Sequence, residues 1–154
     1  MQLPDANVRS SSYLIAEMQA RCPQCGRYSC VLALGLPPKH ETLADGEWQK
    51  VDANAFIFYV ASLPDAVSRF LLERCADFHR TCCDDPAESH WANHCSHCAS
   101  VFSDDELHCE PGGFMPSDAL EAQAISLTRV QQDFSGFAAG YALEPEFFAS
   151  MRRR

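Results

Sequence analysis

Cys22-Pro23-Gln24-Cys25-Gly26-Arg27 is a dithiol turn, and Cys95-Ser96-His97-Cys98-Ala99 is a second one, with residues 26–94 between the two pairs. Two cysteines three positions apart can grip one metal ion, because a tight turn aims both sulfurs inward and its amides donate to them. Gly26 suits such a turn, which asks for a residue that tolerates positive φ; Ala99 stands at the equivalent place in the second pair and departs from that preference. Together the four thiols predict a structural Zn2+ site with ligands Cys22, Cys25, Cys95 and Cys98. Its shell is closed, which leaves no position for water or substrate, so no catalysis is expected there. The long spacer is no objection. Closing it is about 1.4 kcal/mol harder than closing about 15 residues, and structural zinc supplies about 10–16 kcal/mol of apparent binding free energy.

Outward from the turns, Tyr13–Arg21 reads as a strand entering the first pair, and Tyr28–Leu34 as an apolar, buried strand leaving it. Residues 39–54 are polar and turn-rich. Residues 55–60 (AFIFYV) are apolar throughout, strand or buried helix. Pro64-Asp65 opens a helix over about 64–76, with Val67, Phe70 and Leu71 at helical spacing. Residues 90–94 should be a strand delivering the second pair, continued beyond it by Val101-Phe102 and Leu107-His108. Ser117-Asp118 caps an expected helix running to about Gln132, and residues 134–151 pack back onto the core. The expected fold class is therefore α+β: a zinc-ribbon-like β core with a long, partly helical insertion over about 36–89 and a helical C-terminal part. Residues 1–11 read as a flexible N-terminus, 12–151 as one zinc-stabilised domain and 152–154 as a basic tail.

With 154 residues, 47% of them hydrophobic and 21% charged, the chain has the composition of one globular domain. No apolar run is long enough to span a membrane, and no basic patch followed by an apolar stretch opens the sequence, so a cytoplasmic location is expected. Nine cysteines in a reducing compartment point to metal or thiol chemistry rather than disulfides. The net charge is −9, and residues 1–40 hold Arg9, Arg21, Arg27 and Lys39 against Asp5 and Glu17, so the excess of acid lies beyond them. An acidic body repels phosphate backbones, which disfavours nucleic acid and favours a protein partner with a basic surface.

Other chemistry is weaker. Cys22-Pro23-Gln24-Cys25 resembles the CPxC site of glutaredoxin-like proteins, but a β-like run follows it where a helix should stabilise the thiolate. No His/Cys-x-Glu precedes either pair as a zinc deaminase requires, and HExxH, GxSxG, Walker and GxGxxG motifs are absent. His79, Cys82, Cys83, His90, His108 and Cys109 are the residues from which a second metal site could be assembled, though in no familiar spacing. His97 should point outward, Asn93 or His94 could hydrogen-bond a ligand sulfur, and Cys30 and Cys75 read as small core residues.

The stretches RCPQCGRYSCVLALGLP and HWANHCSHCASVFSDDELHCEPGGFMP resemble the two halves of a group of uncharacterised bacterial zinc-ribbon-like proteins. Those proteins pair a CxxCG knuckle with WxNHCxxC and a downstream EPGG. The resemblance is carried by Cys22, Cys25, Trp91, Asn93, His94, Cys95, Cys98 and Glu110-Pro111-Gly112-Gly113. It implies a bacterial zinc-ribbon-like domain and no particular activity. The leading expectation is a zinc-stabilised acidic binding or adaptor protein. The alternatives are a nucleic-acid-binding regulator acting through the first knuckle, and a CPxC thiol oxidoreductase.

Overall fold

The structure is a computed structural model describing residues 6–81 and 89–153. Its spine is a hairpin of two nine-residue strands, β2 (Tyr13–Arg21) and β3 (Tyr28–Leu36), paired antiparallel from Leu14↔Gly35 to Arg21↔Tyr28. Alternation sends their side chains to two faces. On one face Tyr13, Ile15, Leu32, Leu34 and Leu36 meet Ile57, Val67, Leu71 and Phe134. On the other, Ala16, Val31 and Ala33 join Phe56, Phe102, Leu107, Phe114, Ile125 and Leu127, with Cys22 and Cys95 inside the same cluster. The run from Val31 to Leu36 is apolar without interruption because both of its faces are buried.

The sheet extends outward from this spine. Beyond β2 lie β9 (Ser126–Val130) and the parallel two-residue β11 (Arg152–Arg153). Beyond β3 lie β6 (Ala55–Ser62), β10 (Phe134–Leu143), β1 (Val8–Ser10), β4 (His40–Ala44) and β5 (Glu47–Val51). Where β3 leaves β6, β8 (Trp91–Asn93) takes its place at Val60↔Trp91 and pairs in turn with β7 (Phe78–Arg80). Gly140 of β10 lies directly under the Phe58 ring, where a Cβ has no room.

This architecture corrects the expected α+β class. Of the described residues 47% are strand and 16% helix, and their strands form one 11-stranded sheet. Among its described residues the insertion over about 36–89 contributes β4, β5, β6 and β7 and one helix, α1 (Asp65–Arg74), close to the expected 64–76. Val67 and Leu71, one turn apart, seat α1 on the core, and Arg74 ties it to Glu17 of β2 (Nε to Oε1, 2.9 Å). Residues 39–54 form the β4–β5 hairpin. Asp45 and Gly46 both have positive φ (52° and 78°), the backbone that a two-residue hairpin turn requires.

The C-terminal part is not helical. The helix expected from 117 to 132 is four residues long, α3 (Ala119–Ala122), and gives way to β9, in which Ser126 and Leu127 are buried against β2. Its supposed apolar stripe fails at Leu120, which is 75% exposed. A helix there would leave the outer edge of β2 without partners for its amides. Leu107 and His108 belong to a helical turn, α2 (Asp104–His108), and do not continue a strand. Val8–Ser10, read as part of a flexible lead-in, pair with both β10 and β4.

Candidate metal centre

The first turn closes the β2–β3 hairpin. Cys22 N donates to Arg27 O at 2.8 Å, Gly26 N to Cys22 O at 2.9 Å, and Gln24 N to the Cys22 sulfur at 3.4 Å. The second turn follows β8 and is closed by the bridge His94↔Val101. Cys95 N donates to Ser100 O at 2.8 Å, Ala99 N to Cys95 O at 2.9 Å, and His97 N to the Cys95 sulfur at 3.4 Å. The bonds correspond one for one. Gly26 (φ 77°) and Ala99 (φ 64°) occupy the same left-handed position, so the second turn keeps its shape despite lacking glycine. Two copies of one turn therefore face each other, although their sequences share little beyond the cysteines.

They bring the four sulfurs of Cys22, Cys25, Cys95 and Cys98 within 4.8 Å of one another. Cys22 and Cys98 approach to 3.6 Å, as do Cys25 and Cys95. Disulfide sulfurs sit about 2.05 Å apart. A tetrahedral ion with metal–sulfur bonds of about 2.3 Å sets its ligands about 3.8 Å apart, close to what is seen. The cluster is thus spaced for a metal ion, and a four-sulfur tetrahedron suits zinc or iron.

The electrostatics agree. The Ser29 hydroxyl, 3.5 Å from the Cys95 sulfur, together with the amides of Cys98 and His97, pulls the Cys95 thiol down to about 5. The Ser100 hydroxyl, 3.2 Å from the Cys98 sulfur, lowers that thiol as well. Cys25 goes the other way. The Arg27 amide favours its thiolate, but burial and the neighbouring sulfurs push it up to about 11. Sulfurs this close cannot all ionise without a cation among them. Cys22 and Cys95 are buried in the apolar cluster, while Cys25 and Cys98 reach the surface.

Of the surrounding residues His97 lies as expected, and Asn93 and His94 do not. His97 is exposed, with Nε2 3.2 Å from Tyr28 O. Neither Asn93 nor His94 bonds a ligand sulfur. Asn93 is buried and acts as a strand extension, accepting from Leu32 N (2.7 Å) and donating to Leu32 O (2.8 Å). His94 donates from Nδ1 to Ala92 O (3.0 Å) and stacks on His79 with ring centroids 3.7 Å apart. The serines that do touch sulfur, Ser29 and Ser100, went unnoticed in sequence because only the paired strands bring Ser29 across to Cys95.

Among the described residues, the four cysteines are the sole His/Cys/Asp/Glu group close enough to hold an ion. The second set scatters. His79 stacks on His94, His90 packs edge-on against Tyr59 at 5.0 Å, His108 is buried against Phe58 and Phe114, and Cys109 is exposed at the end of α2. Cys82 and Cys83 lie outside the described residues. Cys30 and Cys75 are half-buried, Cys75 against the α1-side core.

No protein-family model, curated protein or solved structure matches the chain. Among the described residues no helix is long and apolar enough to cross a membrane.

Proposed function

We propose that this chain is a zinc-stabilised binding protein of the bacterial cytoplasm that engages a basic, amphipathic protein partner. Zinc is the favoured ion because four thiolates in a closed tetrahedron make a shell that calls for no redox change. The observation that carries the binding reading is a charge asymmetry. Between Arg80 and Arg129 the sequence contains no lysine or arginine. Within that interval, the stretch from α2 to α3 exposes Asp105, Glu106, Glu110, Asp118 and Glu121 together with Met115 (41%) and Leu120 (75%). Carboxylates interleaved with large exposed apolar side chains suit a partner surface that offers Lys and Arg around apolar anchors.

The test is affinity capture with the full metal-loaded chain, compared with Glu106→Lys/Glu110→Lys and with Leu120→Asp, zinc being measured on each sample. A captured protein should be released by salt, retained in the presence of free DNA, and lost with both variants at unchanged zinc content. Capture that ignores both variants would refute the reading.

A second reading rests on a different observation. Residues 20–34 and 89–103, which form the two turns, contain no carboxylate, and Arg21, Arg27 and His97 surround Tyr28, 62% exposed. A zinc ion with four thiolates carries a formal charge of −2, which offsets both arginines, so nucleic acid ranks below protein as a partner. A shift of labelled DNA or RNA at physiological salt, abolished by Arg27→Glu, would reverse that order. The dithiol oxidoreductase reading ranks last, because Cys22 is 1% exposed and a strand follows Cys25 where that chemistry calls for a helix.

A further inference from the structure

The chain has two lysines, Lys39 and Lys50, and both line one cleft of about 550 Å³. Their convergence follows from register. Arg9 of β1 faces Glu41 of β4, and Glu41 faces Lys50 of β5, so the three lie in one row across adjacent strands. Arg9 closes on Glu41 through Nε at 3.1 Å and Nη2 at 3.3 Å and lies over the Trp48 ring at 4.0 Å, so the carboxylate is already matched and the guanidinium already placed. Neither lysine has an ion pair among the described residues.

Lys39 is also held at φ 77°, where glycine is at ease and a lysine is strained, while its amide donates to Val51 O at 2.7 Å. Strain kept at a charged surface residue points to a use for the side chain. Ser10, Ser11 and Ser135 also line the cleft, Ser135 opposite Arg9 in the same row, and Phe134 and Pro64 are its apolar residues.

We infer that this cleft binds a small molecule through a phosphate group, with Lys39 and Lys50 as its charge partners and Ser11 and Ser135 as donors. The size is right for a small ligand, and lysine serves phosphate as a point charge. Asp133 on the cleft wall and the net charge of −9 work against an extended polyanion, so the ligand is compact rather than a nucleic acid strand.

The test uses the full metal-loaded chain, labelled for amide NMR, titrated with inorganic pyrophosphate and separately with citrate. Pyrophosphate should give saturable shifts at Ser11, Lys39, Lys50 and Ser135, and Lys39→Gln/Lys50→Gln should weaken binding at least about tenfold. Lys39→Gly guards against a folding artefact: it relieves the strain and should raise Tm while still weakening pyrophosphate. Unsaturable shifts scattered over Arg21, Arg27 and Arg69 would overturn the inference. So would a double variant that binds like the wild type, or citrate binding as tightly as pyrophosphate.

Discussion

Exchanging the residues at the left-handed position of the two turns should move stability in opposite directions. Ala99 sits at φ 64° and Gly26 at φ 77° within the same hydrogen-bond scheme. Holding an L-residue with a Cβ in that region costs about 1–2 kcal/mol. Replacing alanine by glycine relieves that strain but restores about 0.4–1 kcal/mol of unfolded-chain entropy. Ala99→Gly should therefore stabilise the metal-loaded protein by about 0.5–1 kcal/mol, a rise in Tm of about 2–3 °C for a chain of this size. Gly26→Ala should cost a similar amount. A Cβ on Gly26 meets nothing nearer than Arg21 Nη2 at 3.6 Å, so the penalty is torsional and owes nothing to a clash. Urea unfolding of both variants at matched zinc content reads the difference, with the slope on denaturant checked for constancy. If both variants shift the same way, or Ala99→Gly destabilises, the two turns are not conformational equivalents and the symmetric account of the site fails.

Three further outcomes are expected. Asn93→Ala leaves Leu32 N and O buried without partners and should cost about 2–6 kcal/mol in urea unfolding, at about 1–3 kcal/mol per orphaned group; a loss under about 0.5 kcal/mol would show that β8 is not held this way. Burial holds His108 down to about 4, with Nδ1 unpartnered, so its contribution is full above the ordinary histidine range and lost as pH falls. Stability should therefore drop by up to about 3 kcal/mol between about pH 6.5 and pH 4, and His108→Leu should flatten that part of the profile. Removing zinc with a chelator, or Cys98→Ser, should raise amide exchange in residues 89–124 before it does so in β2 and β3; uniform loss of protection would contradict a metal that anchors one segment to a stable spine.

What could be read from the sequence was whatever local chemistry alone determines. The strands β2 and β3 announce themselves as apolar runs flanking the first turn, α1 by Pro64 and the Val67/Leu71 spacing, and the cluster of four thiols by two CxxC pairs; residues 55–60 are apolar throughout, which leaves strand and buried helix undecided until β6 is seen between β3 and β10. What stayed hidden depends on distant partners. Residues 119–130 carry helix-compatible spacing, yet Ile125 and Leu127 are buried because β2 has an open edge that only a strand can satisfy. Residues 39–54 look like loop because β4 and β5 bury little, and Asp45-Gly46 is the one local hairpin signal within that polar composition. Asn93 looked like a neighbour of the metal because it precedes Cys95 by two; its role at Leu32 appears only once β8 lies beside β3.

The metal and the acidic stretch are mechanically one problem. α2 and α3 are five and four residues long, too short to hold helical form unaided. They persist because Phe102, Leu107, Phe114 and Ala122 insert into the cluster that also contains Cys22 and Cys95. β8, the strand that leads into this region, is itself three residues long and meets β6 through one residue pair. Backbone pairing with β6 is therefore a weak attachment of residues 89–124; Asn93 adds a side-chain link to β3, the apolar cluster adds packing, and the four cysteines add an attachment across the hairpin end. A carboxylate-rich surface presented on such short elements takes part of its shape from that attachment, so on the proposed function removal of the metal should weaken partner binding without any contact between the metal and the partner.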